Sequence, residues 1–252
     1  MDLARTLDPQ GPPLTNRGTV HQWWRDLTVV HWRVDPGRVA PLMPPGVRPD
    51  VHDGSSWVGL IPFTLSEGGF GARGTPVPRL GTFLETNVRL YSVDDQGRRG
   101  VVFRSLEAAQ VPIVLAANSA LRIPYKLASM NRRPEVLPED PTGTEVTYRT
   151  IRRTRARPSS SMRIGIGAPI EQPSELEVFL TARFGAHTRA WGRTLWVPNT
   201  HGPWPLRRAE LLSLDDELVA AAGLPGVVDS RPESVLFSSG VHTVFGLPQV
   251  VH

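Results

Sequence analysis

Lys126 is the only lysine in a chain whose lysines and arginines total 28, and it stands in the run Pro124-Tyr125-Lys126-Leu127. A lysine that loses its proton attacks a carbonyl carbon and forms a Schiff base. Desolvation or a neighbouring cation drives that loss, and Arg122 is close in sequence. A second group of reactive side chains occupies alternate positions, Glu85, Asn87, Arg89 and Tyr91. Glu85, or Glu107 on the following segment, would move protons as a general acid or base. Arg89 offers the planar fork that grips a carboxylate by two parallel hydrogen bonds. The plain alternative is an exposed lysine at a strand start and the solvated face of an ordinary antiparallel sheet. Composition alone favours that reading for Lys126.

The elements that must position these residues are strands. Phe83 to Val93 alternates, with Leu84, Val88 and Leu90 opposite the polar row. Asp94 to Gly97 supplies turn chemistry, and Arg99 to Ala108 reads as the returning strand. A register that sets Glu85 against Glu107 brings the polar row onto Val101, Phe103 and Ser105, whereas a slip by one residue brings Leu106 opposite instead. A barrel would hold such a row inside a polar pocket, with a cation, Arg89 or Arg122, expected beside a buried Glu85.

Further signals frame this hairpin. His21 to Val34 reads as a strand in its second half, and Trp57 to Leu65 as another, in which Pro62 demands an edge or a bulge. Asp35 and Pro36 start a short helix ending at Leu42 and Met43, and Asp53-Gly54 marks a turn. Glu67 to Gly81 is rich in glycine and proline and reads as a lid or pocket margin. Pro112 to Leu121 looks helical. Ser174 and Glu177 form a capping box for a helix running to about Phe184. Thr144–Arg153 with Ser160–Ala168, and Thr188–Val197 around Gly192, read as hairpins; Asn199–Pro205 reads as a loop. Leu206–Leu212 is expected as a strand, Asp215–Ala222 as a helix closed by Gly223, and Val235–Phe237 with Val241–Leu247 as a last pair turning at Ser239-Gly240.

Composition narrows the classes. With 252 residues, 40% hydrophobic, the chain can build a packed core, and 25 Pro and 23 Gly suit many short strands and turns. Cysteine is absent, which removes disulfides, thiolate chemistry and Cys-ligated metal sites. The histidines show no zinc spacing, and no phosphate-binding loop, dinucleotide fingerprint or nucleophile elbow is present. No metal or cofactor is therefore expected. The net charge is +4, and the arginines from Arg149 to Arg163 read as a solvated hairpin edge rather than a nucleic-acid footprint. No apolar run reaches the roughly 18 residues of a membrane span. Residues 1–19 read as a flexible N-terminal leader and 20–252 as one β-barrel domain, cytoplasmic, with no nucleic-acid or membrane partner and a homo-oligomer left open.

The pieces HWRVDPGRVAPLMPPGV, DVHDGSSWVGLIPF, FLETNVRLY, GVVFRSLEAA, IPYKLASM and HGPWPLRRAELL run in order from His31 to Leu212. Together they resemble the YqjF-like family of uncharacterised bacterial proteins in the acetoacetate decarboxylase-like superfamily. The resemblance implies an α+β fold, mostly antiparallel β: a closed or nearly closed barrel with a few peripheral helices and an internal pocket. It implies no established reaction. The decarboxylase uses adjacent lysines in a Pro-Lys-Lys-Leu setting, a cation-activated lysine. Set against it, the nucleophile's position falls on Tyr125 and that of its cationic neighbour on Lys126, which argues against acetoacetate decarboxylation. Glu85 matches the family's strand glutamate. The expected site is thus Glu85, Tyr125 and Lys126 for chemistry, with Asn87, Arg89, Tyr91, Glu107 and Arg122 around the ligand. The expected role is to bind, and in one reading turn over, a small organic acid or carbonyl compound. The alternative is a non-catalytic ligand-binding or regulatory module.

Overall fold

A computed structural model describes residues 7–15, 18, 20–70, 75–76, 82–110 and 122–251. The helix expected over Pro112–Leu121 and most of the expected lid lie outside these residues. The strands are β1 (Val20–Val34), β2 (Val47–Pro49), β3 (Ser56–Phe70), β4 (Thr75–Pro76), β5 (Phe83–Asp94), β6 (Arg99–Ala108) and β7 (Tyr125–Arg133). They continue with β8 (Glu145–Arg152), β9 (Ser159–Pro169), β10 (Gly185–Ala190), β11 (Arg193–Thr200), β12 (Leu206–Asp216), β13 (Ser234–Phe245) and β14 (Gln249–Val250). Among the described residues three short α-helices accompany them, α1 (Pro36–Val39), α2 (Glu175–Thr181) and α3 (Leu218–Ala221).

All the strands join one 14-stranded sheet. From β6 the pairings pass through β7, β8, β9, β12, β13, β1 and β3 to β5, and β5 pairs back to β6, which closes a barrel. A second circuit leaves β6 through β10 and β11 and returns at β13. Strands β13, β1, β3, β5 and β6 belong to both circuits and form a shared wall. Its barrel face carries Val30, Trp32, Leu60, Val88, Leu90 and Phe237, which pack with Tyr148, Met162 and Ile164 of β8 and β9. Its other face carries Val29, Ile61 and Phe63, and further along Tyr91 packs with Phe179 and Leu180 of α2. The mostly antiparallel β architecture agrees with the sequence; the pairings of β6 with β7 and β10 are parallel.

Local signals act as expected at several points. The Asp35 carboxylate accepts from the Gly37 N–H, and Asp53 and Gly54 turn with positive φ. Ser174 and Glu177 cap α2 reciprocally. Pro62 lies opposite a register break, because four residues of β1 between Arg25 and Val30 face three of β3. A bulge there spares the ladder a missing donor. The arginine-rich edge is solvated at Arg149, Arg153, Arg155, Arg157 and Arg163, but Arg152 is buried.

Other expectations are corrected. The capped helix ends at Thr181, short of Phe184, and Asp215 and Asp216 extend β12 rather than open a helix. Pairing with β9 wins there, since Asp215 and Asp216 face Ser161 and Ser160. Asn199 and Thr200 belong to β11. Glu67–Phe70 continue β3 instead of starting a loop. β13 runs unbroken through Ser239 and Gly240, because long β1 pairs with it along its length. Gly240 takes φ +122, and a Cβ there would lie 1.9 Å from the Trp24 carbonyl oxygen. Gly240→Ala is therefore expected to cost about 1–3 kcal/mol through backbone strain and overpacking. Urea unfolding checks this; a loss under about 0.5 kcal/mol, the range of innocuous surface changes, would contradict it.

Among the described residues, no helix is long and apolar enough to cross a membrane. Within 7–15, Leu7 packs near Tyr91 and Phe179, and the Gly11 N–H donates to the His201 carbonyl at 3.2 Å.

Candidate functional site

Alternation on β5 places Glu85, Asn87, Arg89 and Tyr91 on the wall face away from the barrel interior, not inside the barrel as expected, because Val88 and Leu90 pack inward against β8 and β9. Glu85 is 3% exposed and lies opposite Phe63 of β3 and Ala108 of β6. The Tyr125 hydroxyl donates to Glu85 Oε2 at 2.9 Å. Register explains the meeting: Tyr125 opens β7 beside Leu106, which pairs with Asn87, so all three share a face. Burial pushes the Glu85 carboxyl up to about 8; the Tyr125 hydrogen bond lowers it, the charge of Glu107 raises it, and an Asn87 hydrogen bond lowers it. Burial, and then the adjacent Glu85, push the Tyr125 phenol well above its ordinary value.

The burial expected of Glu85 holds, but the expected neighbour does not: among the described residues no cation acts on its carboxyl. Arg122 is exposed, its guanidinium 5.5 Å from the Trp191 ring. Arg89 donates to the Tyr91 hydroxyl at 3.0 Å and to the Leu180 carbonyl at 3.0 Å. A buried carboxyl without a cation relieves its desolvation by keeping its proton.

The expected register holds at Arg89↔Phe103 and Tyr91↔Val101 and fails at Asn87 and Glu85, which face Leu106 and Ala108. Between Phe103 and Ser105 one extra residue, Arg104, is unpaired, so Glu107 falls opposite Thr86 instead of Glu85. A one-residue slip reverses faces. Glu107 therefore points into the barrel, where Arg152 Nε donates to it at 2.9 Å and Ser105 at 3.2 Å. Burial outweighs Arg152 and raises the Glu107 carboxyl. Thr86 and Thr150 share a 2.9 Å hydrogen bond on the same face. Lys126 pairs in register with Glu107, on that face, and is exposed.

Farther along the wall lies a buried network that the sequence did not reveal. Tyr91 is fully buried, donates to the Leu180 carbonyl at 3.0 Å and touches His31 Nε2. Burial, with the charges of Arg89 and Arg183, holds His31 well below its ordinary value, hence neutral. Arg183 donates through Nε to the Phe179 carbonyl at 2.7 Å, lies 4.1 Å from the Phe179 ring centroid and pairs with Asp50. Asp50 also receives two bonds from Arg99, both 2.8 Å. Burial pushes the Asp50 carboxyl up, but Arg99 and Arg183 together hold it below its usual range. Asp50 and Arg183 are 133 residues apart, so no local motif announces them. Arg89 and Tyr91 thus serve this sealed network, while Glu85, Asn87 and Tyr125 form a separate cluster bordered by Ile61, Phe63, Phe83 and Ala108.

A profile of uncharacterized conserved proteins, DUF2071, matches residues 21–242. The chain belongs to the DUF2071 family. A relative, the uncharacterized protein YqjF of Bacillus subtilis (strain 168), is 29% identical over 194 residues, 76% of this chain and 76% of YqjF. The DUF2071 chain also shares its fold with acetoacetate decarboxylase-like enzymes. Acetoacetate decarboxylase of Legionella pneumophila superposes with a TM-score of 0.62 at 14% identity, over 96% of this chain and 92% of that one. The enduracididine biosynthesis enzyme MppR, complexed with pyruvate, gives 0.62 at 14% identity over 95% and 92%. An acetoacetate decarboxylase-like enzyme from Sphingomonas wittichii RW1 gives 0.61 at 14% over 93% of each chain. At such identities the likeness extends to the fold.

Proposed function

We propose that this protein binds a small organic acid or carbonyl compound beside Glu85 and Tyr125 and moves a proton on it without forming a covalent bond. The observation that carries this reading is the 2.9 Å hydrogen bond between Tyr125 and a buried Glu85 whose pKa is about 8. A carboxyl with a pKa near neutrality both gives and takes protons at low cost, the property a general acid–base needs. When a ligand binds, the phenol, which keeps its proton, turns its single O–H from Glu85 to a ligand oxygen and polarises a carbonyl. Glu85 in its ionised form removes the proton on the adjacent carbon, and the protonated carboxyl so formed returns it. Tyr125 has no amine, and Lys126 is exposed on the other face, so an imine plays no part.

Deuterium uptake at the carbon next to the carbonyl, followed by NMR with a panel of 2-oxo and 3-oxo acids, tests this. The wild type should catalyse exchange; Glu85→Gln should slow it by about 10²–10⁴-fold and Tyr125→Phe by about tenfold or more, the range for acid–base groups. Lys126→Arg should exchange normally, and borohydride should leave no adduct. A reduced adduct on Lys126 would replace this reading with Schiff-base chemistry. Binding without exchange would favour the second reading, a non-catalytic module. That reading draws on Arg89, which is committed to Leu180 and Tyr91.

A further inference from the structure

Arg104 breaks the alternation of β6. Pairing steps from Phe103↔Arg89 to Ser105↔Val88, which leaves Arg104 as the extra residue of a bulge. Bulges re-aim the side chains they carry. The Arg104 guanidinium donates through Nε to the Ala222 carbonyl at 3.1 Å and through Nη1 to the Leu42 carbonyl at 3.2 Å. Nη2 engages neither. Neutral carbonyls orient a cation without cancelling its charge. Burial lowers the Arg104 pKa, and no carboxylate acts against that shift.

Arg104 faces a groove of about 360 Å³ between the Pro41–Pro45 segment, β6 and β10. Arg122 and Arg189 line the same groove, and among the described residues no aspartate or glutamate does. Among the described residues none of the three arginines is ion-paired with a carboxylate, unlike Arg99, Arg132, Arg152 and Arg183. His187, also on the wall of the groove, adds no charge, since burial holds its ring below the ordinary value while Ser92 and Asp94 occupy its nitrogens. Leu42, Val102, Phe103 and Pro124 add apolar wall to the same groove. The volume is within the roughly 300–1,000 Å³ range of small-molecule sites, which combine apolar walls with a few placed polar groups.

We propose that this groove is a second ligand site, one that takes an amphiphilic oxyanion. The carboxylate or phosphate head is held by Arg104 with Arg122 and Arg189, and the apolar body lies on Leu42, Val102, Phe103 and Pro124. Arginine suits both heads, because its planar fork matches two oxygens at once. The site is distinct from Glu85 and Tyr125, neither of which lines the groove.

Calorimetric titration with hexanoate and hexyl phosphate, in low-salt buffer free of other oxyanions, tests the proposal. Hexanol and inorganic phosphate are the controls. Both amphiphiles should bind, the tighter one naming the preferred head, and each control should bind about tenfold more weakly or worse, since each lacks one half of the recognised chemistry. Arg104→Gln should weaken the preferred amphiphile about tenfold, as expected for loss of a charge-assisted pair. Arg122 and Arg189 are exposed, so the double variant Arg122→Gln, Arg189→Gln should stay folded; it too should lose about tenfold, as loss of two such contacts implies. Methyl NMR should report shifts at Leu42 and Val102. Any one of three results overturns the proposal: equal binding of either control, unchanged affinity in the double variant, or shifts confined to Ile61 and Leu65 around Glu85.

Discussion

Raising the pH from about 4.5 to above 8 should cost this protein on the order of 5 kcal/mol of stability through Glu85 alone. Glu85→Gln should abolish that share. The folded pKa of Glu85, about 8, lies above its ordinary value of 4.5. A raised carboxyl contributes its full stability below the unfolded value and loses it as pH rises through the folded one. The unfolded chain gives up the proton near 4.5, while the folded wall keeps it until about 8. Other groups shape the total curve. Glu107 adds a loss of the same sign, since its carboxyl is also raised. His31, His187, His201 and His242 are held below their ordinary value of 6.5, mainly by burial, so they favour the folded state more as pH rises towards 6.5. The difference between wild type and Glu85→Gln isolates one group, because glutamine keeps the shape and still accepts from Tyr125 but does not titrate. Urea unfolding at pH 5, 7 and 9 provides the measurement. Parallel curves for the two proteins would show that Glu85 is not buried as an acid.

The second large effect concerns Asp50. Asp50→Ala should destabilise the protein by about 3–5 kcal/mol, the usual result of removing one member of a buried ion pair. Arg183 has 2% side-chain exposure, and without Asp50 its charge would remain buried beside Arg99 and Arg89 with no anion. Asp53→Ala offers the contrast. Its partner Arg33 is 3.3 Å away at the surface, with the two side chains 34% and 75% exposed. An exposed pair contributes about 0–1 kcal/mol. A double cycle with Arg183→Met separates the pair from its burial, because replacing both charges by apolar or small groups should recover part of the loss. Equal costs for Asp50→Ala and Asp53→Ala would refute the buried network.

Whether this wall carries chemistry depends on how its two sides are divided. The row Glu85, Asn87, Arg89 and Tyr91 was legible as a row because strand alternation is a local property. The family resemblance set Tyr125 at the nucleophile's position, but the neighbour expected beside Glu85 was a cation, not this phenol. Glu107 was not placed correctly. The bulge at Arg104 shifts every later residue of β6 by one, and no turn or proline signal in the sequence marks it. Arg152 was read as one of a solvated run, yet it is the arginine of that run that points inward, to satisfy Glu107.

The sequence by itself determined the local chemistry. The caps at Asp35 and Ser174, the turn at Asp53-Gly54 and the alternation of β5 depend on residues within a few positions of one another. Composition and periodicity then sufficed for a mostly antiparallel sheet, and the resemblance for its closure. Tertiary structure alone decided the partners of the buried charges. Asp50 meets Arg183 across 133 residues, and Glu107 meets Arg152 across 45. It also decided that Glu85 has a phenol rather than a cation beside it. The physical reason is that desolvation is set by everything packed around a group. A carboxyl on an alternating strand reads the same in sequence whether its neighbour across the sheet is an arginine, which would hold it ionised, or Tyr125 and an apolar wall, which keep it protonated.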